Sequence, residues 1–144
     1  MSEIPKREQR LIEEFQKLTD WESRYKLIIE KGKNLPVFPG EEKSEDLKVK
    51  GCQSQVWLKA ELKDDRIQFK GDSDAMIVKG LIALLLEVYA NSTPDEILAH
   101  PPDFIKKMGL DAYLSPSRAN GLFSMAKQIQ FYAVAFKSLI ASRK

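Results

Sequence analysis

The chain has 144 residues, 43% hydrophobic and 31% charged, with 23 basic against 21 acidic residues for a formal net charge of +2. That length reads as one domain, residues 1–144, large enough to bury a real core. The balanced charge lacks the basic excess of a nucleic-acid-binding domain, and a single cysteine excludes an internal disulfide and suits a reducing compartment.

Met1 to Gln9 is polar and carries no apolar signal core, so a cytoplasmic location is expected. Leu11, Ile12, Phe15 and Leu18 recur at helical spacing and predict a first helix. After a cap at Thr19-Asp20, the stripe Trp21, Tyr25, Ile28 and Ile29 predicts a second, ended by Pro36. Residues 36–46 read as an acidic connection. The period then changes to two. Leu47 and Val49 alternate with lysines up to Gly51-Cys52, and Val56, Leu58, Ala60 and Leu62 continue the alternation. Asp64-Asp65 makes a tight turn, and Ile67 and Phe69 lie on a return strand. A small antiparallel three-stranded sheet is expected, buried on one face.

Asp72 or Ser73 can cap the next helix, Ala75 to Tyr89, which is apolar nearly all round. With Lys79, Gly80 and Glu87 inside it, the segment is too short and interrupted to span a membrane. Thr93-Pro94-Asp95-Glu96 is a capping box, and Pro101-Pro102 end the short helix it opens. Ser115-Pro116 opens a last helix with the stripe Leu122, Met125, Ile129, Ala133, Phe136 and Ile140. Strands grouped between helical runs indicate an α+β fold, several helices packed on the small sheet.

Cys52 carries the chemistry. It sits in Gly51-Cys52-Gln53-Ser54-Gln55-Val56-Trp57, after a glycine and before three polar residues, whereas an inert cysteine normally lies in an apolar run. Cys52 and His100 are too few ligands for a structural zinc or an iron–sulfur cluster. A cysteine hydrolase would need His100 as base, and that residue precedes Pro101-Pro102 in what reads as a surface connection. No glycine-rich phosphate loop is present. A thiol that receives sulfur from another protein needs reach more than a base of its own. The lack of a second cysteine helps it, because a neighbouring thiolate would attack a persulfide and release the outer sulfur.

The segment 51–57 resembles the signature of the SufE family of sulfur acceptors. Two later blocks, Gly71 to Leu81 and Leu114 to Leu122, resemble the same family, and the similarity runs over nearly the whole chain. The resemblance implies a SufE/IscU-like α+β fold without the metal ligands of the related scaffolds. It also implies that Cys52 takes persulfide sulfur from a cysteine desulfurase (SufS- or CsdA-like), stimulates that enzyme, and passes sulfur to a SufBCD-like iron–sulfur scaffold. Pyridoxal phosphate would belong to the desulfurase, and the chain would need no cofactor or metal of its own. The family further suggests a thiol tucked into an apolar hollow under its loop, whereas the residues alone suggest an exposed one.

Gly51, Gln53, Ser54 and Gln55 would shape the loop and its partner contacts. Trp57 suits a sheet face or an interface. Arg118, a cation in the first turn of a helix, is unfavourable there by its dipole. Either it lies near Cys52 and favours an anionic sulfur, or it pairs with Asp74. The rivals are a hydrolase using His100 and a desulfurase regulator that acts by docking alone.

Overall fold

The computed structural model describes residues 2–143. Ile4, Leu11, Ile12 and Phe15 fall on one face of helix α1 (Ile4–Gln16) and are buried. Helix α2 (Trp21–Lys33) begins where the Asp20 carboxylate accepts from the Ser23 amide at 3.2 Å. It stops short of Pro36, whose ring disfavours helical backbone in the residue before it.

Strands β1 (Val56–Lys63) and β2 (Arg66–Ser73) form an antiparallel hairpin in the register Val56↔Ser73 to Lys63↔Arg66. Asp64 and Asp65 both take positive φ, 53° and 61°, as a type I′ turn requires. Among the described residues the sheet has two strands, so the third strand expected around Leu47–Val49 is corrected. Leu47 is spent in a short 3₁₀ turn, Glu45–Leu47, and the chain bends away at Gly51. What remains is one bridge, Lys48↔Trp57, with the Val49 amide donating to the Val56 carbonyl at 2.8 Å.

Helix α3 (Met76–Tyr89) is buried on nearly all sides, packed against α1, α2, β2 and the last helix. Its crossing with α2 is tight because glycines face each other: a Cβ on Gly32 would lie 2.7 Å from the Gly80 nitrogen. No side chain caps its start, although the Ser73 hydroxyl accepts from the Ala75 amide at 3.2 Å. At its other end Arg7 donates to the carbonyls of Val88 and Ala90 and to the Ser92 hydroxyl. A cation and donor there suits the carbonyls left over at a helix C-terminus.

Helix α4 (Pro94–Ala99) has the full capping box of Thr93 and Glu96. Two single turns follow, α5 (Phe104–Lys107) and α6 (Leu110–Tyr113), too short to leave a periodicity in sequence. Helix α7 (Pro116–Ser142) runs back along the molecule, and its Tyr132 hydroxyl donates to the Leu58 carbonyl of β1 at 3.0 Å. Its buried stripe ends at Ala133; Phe136 and Ile140 are only half-buried. Among the described residues, no helix is long and apolar enough to cross a membrane.

Candidate functional site

The neck of the Cys52 loop is the Val49–Val56 pair, both residues buried. Gly51 turns the chain out of that neck with φ +89°. A side chain there would be strained by the backbone, and its Cβ would meet the Ser124 hydroxyl at 2.6 Å. The far side of the loop is tied to the start of α3. The Gln55 amide donates to the Asp74 carboxylate at 3.0 Å, the Asp74 amide to the Gln55 carbonyl at 3.3 Å, and the Ser73 hydroxyl to that same carbonyl at 2.8 Å. Asp74 therefore anchors the loop. Gln53 and Gln55 are exposed and Ser54 is half-buried.

Held at both ends, the loop lays the Cys52 thiol, half-buried, over a hollow of about 440 Å³. The apolar part of that hollow is Val78 and Leu81 from α3 with Leu122 and Met125 from α7. Gln53, Ser54, Ser115, Ser117 and Arg118 supply the polar part. The thiol donates weakly to the Gly121 carbonyl, with sulfur 3.7 Å from oxygen. A Cβ on Gly121 would stand 3.5 Å from Sγ, an ordinary contact, so the thiol's approach does not itself require glycine there. Of the two sequence readings, exposed or tucked, this conformation is the sheltered one.

Burial pushes the Cys52 thiol above its ordinary pKa, because the apolar surroundings disfavour the thiolate. Alkylation proceeds through the thiolate. Its rate-against-pH curve in the free protein is therefore expected to have its midpoint above that of the urea-unfolded chain. Iodoacetamide kinetics from about pH 7 to 11, the range that brackets an ordinary thiol, check this. A midpoint at or below the unfolded one would contradict the sheltered thiol.

Arg118 lies on the same hollow, at the start of α7. Its guanidinium donates to the Tyr25 hydroxyl at 3.1 Å, and its amide donates to the Ser115 hydroxyl at 3.4 Å. Among the described residues it has no carboxylate partner within ion-pair distance, and Asp74 is engaged by Gln55 instead. The structure thus puts Arg118 on the hollow that Cys52 also lines and does not pair it with Asp74. Trp57 is half-buried on the hairpin, with the Lys43 ammonium 5.1 Å from its ring centre. His100 is outside the hollow: its Nδ1 stands 2.8 Å from the Glu96 carbonyl, and its own carbonyl accepts from Tyr89. Among the described residues, no three His, Cys, Asp or Glu side chains are grouped to hold a metal ion.

Sequence reasoning missed the roles of Val78, Leu81, Leu122 and Met125 at the site, because their spacing marks them only as core. Tyr25 was hidden the same way, inside the apolar stripe of α2. Gly121 was visible only as part of the third block.

Comparison with known proteins finds relatives over most of the chain. The family model SufE, described as an Fe-S metabolism associated domain, matches residues 9–133. A SufE-like protein of Synechocystis sp. is 42% identical over 134 residues, covering 93% of this chain and 84% of that protein. One of Rhizobium meliloti is 42% identical over 125 residues, covering 83% of this chain and 89% of its own. The solution structure of a hypothetical protein from Thermus thermophilus superposes with a TM-score of 0.77 at 23% identity, over 92% of this chain and 96% of that one. At that identity the match speaks for the fold alone.

Proposed function

The chain belongs to the SufE family, associated with Fe-S metabolism, and from that premise we propose that it accepts persulfide sulfur on Cys52 from a pyridoxal-phosphate-dependent cysteine desulfurase. The observation that carries the reading is the Cys52 loop. The chain's one thiol is held between Gly51 and the Asp74 anchor, over a hollow large enough to shelter an added sulfur atom.

The transfer is a thiol exchange. The Cys52 thiolate attacks the outer sulfur of the desulfurase persulfide. The donor S–S bond breaks, its electron pair leaves on the desulfurase cysteine, and a new S–S bond forms on Cys52. Sulfane sulfur changes hands, so no oxidant is consumed. Because burial disfavours the thiolate, a partner that draws the loop out or supplies a base speeds the attack. Back in the hollow, the persulfide meets no second cysteine that would discharge it. Clearing its persulfide frees the desulfurase for another turnover, which is the stimulation. A SufBCD-like cluster scaffold then takes the sulfur. Arg118, on the same hollow, favours the anionic sulfur.

The test is intact mass after incubation with the host's desulfurase and L-cysteine without reductant. A single added mass of ~32 Da is expected. No adduct, with turnover still stimulated, would replace the acceptor by a regulator that acts by docking. The absence of both adduct and stimulation would sink the reading.

A further inference from the structure

Among the described residues, Arg118 is the one with a charged side chain that lines the Cys52 hollow. A long arginine side chain on an exposed helix start samples many rotamers, and ordering it costs entropy. Here one hydroxyl holds it, that of Tyr25, 3.1 Å from the guanidinium. Tyr25 is itself held. Its ring meets Tyr113 edge-on with centroids 6.5 Å apart, and Tyr113 stacks on Trp21 at 4.2 Å and 9°. The Arg24 guanidinium covers Trp21 at 4.7 Å while bonding the carbonyls of Phe15 and Leu18. The brace thus runs from the α1–α2 connection through α2 and α6 to the start of α7. An edge-on aromatic pair is favoured beyond the area it buries, which gives Tyr25 a preferred place.

We infer that Tyr25 is a positioning residue, which holds the Arg118 guanidinium at the Cys52 hollow so that it faces the anionic outer sulfur once Cys52 carries a persulfide. The inference rests on Cys52 carrying sulfur, and not on which protein delivers it. The outer sulfur lies about 2 Å beyond Sγ. Among the described residues, no carboxylate lines the hollow to compete with it for Arg118.

The test loads Cys52 chemically with inorganic polysulfide. The thiolate attacks a polysulfide sulfur, an S–S bond of the polysulfide breaks, and the shortened polysulfide leaves with both its negative charges, so charge and electrons balance. Intact mass selects the singly loaded protein. The rate at which iodoacetamide captures its outer sulfur is then followed against pH in wild type, Tyr25→Phe, Arg118→Gln and the double variant. An exposed cation shifts an ionisation modestly, so the midpoint is expected to rise by about one pH unit in Arg118→Gln and about half a unit in Tyr25→Phe. The double variant should match Arg118→Gln alone.

A midpoint unmoved in Tyr25→Phe would overturn the inference. So would a Tyr25→Phe shift that persists in the Arg118→Gln background, since the tyrosine would then be acting as structure. Melting temperatures of the four proteins separate unfolding from either result. If the desulfurase delivers no sulfur to wild type while these midpoints move as expected, the function proposed above fails and the placement of Tyr25 stands.

Discussion

The Cys52→Ser protein is expected to take up no sulfur and to leave the desulfurase at its unstimulated rate. A serine hydroxyl at neutral pH is a poor nucleophile without an adjacent base. His100, the chain's only histidine, is bonded at the end of α4 and is not among the residues lining the hollow. Among the described residues, none that lines the hollow is a base that would activate the replacement. The fold should hardly notice. Cys52 is half-buried on a loop, its contact with the Gly121 carbonyl is a weak one at 3.7 Å, and serine can donate to the same oxygen. A stability change within about 1 kcal/mol follows for such a site. Single-turnover transfer of labelled sulfur, alanine production by the desulfurase, and urea unfolding together check the prediction. Stimulation that survives in the variant would mean docking alone. A collapsed fold would mean that the thiol is there for packing.

Replacing Gly80 by alanine should be the costlier change for stability, although it lies away from the thiol. By helix propensity alone alanine would help a mid-helix position by about 0.5–1 kcal/mol. The crossing of α2 and α3 reverses the sign. The new methyl would press into the Ile28 carbonyl oxygen, with the Ile28 Cγ2 at 2.5 Å, and the obstacle is largely backbone, which no rotamer change relieves. Overpacking typically costs about 1–3 kcal/mol and more where nothing can yield. A net loss of about 3 kcal/mol, or roughly 10 °C in melting temperature, is expected. Gly40→Ala is the control, because a methyl there meets nothing within 4 Å. Equal melting temperatures for the two variants would show that the helices part more easily than their contact suggests. Since Val78 and Leu81 of α3 line the hollow, the same substitution should also speed alkylation of Cys52.

Much of this protein is written locally. The caps at Asp20, Thr93 and Ser115 and the Asp64-Asp65 turn are short-range signals, each satisfied by groups within a few residues, and all are found where the sequence puts them. Leu47–Val49 misled because alternation reports a buried face and not a partner. A strand needs a continuous ladder, and Gly51 turns the chain after one bridge.

The site divides in the same way. Cys52 was legible because a lone thiol among glycine and polar residues contradicts the packing that would otherwise explain it. Arg118 was legible because a cation opposes the dipole at a helix start. Neither signal could say what surrounds these groups. That Asp74 anchors the loop, that Arg118 reaches Tyr25, and that α3 and α7 leave a hollow beside Gly121 depend on residues 19 to 93 positions apart. Sequence by itself determined where the one thiol lies and the helices and hairpin around it, because those follow from periodicity, capping and the chemistry of single residues. Tertiary structure decided how far the thiol is buried and which charged side chain shares its hollow, because burial and shared cavities exist only after distant segments meet.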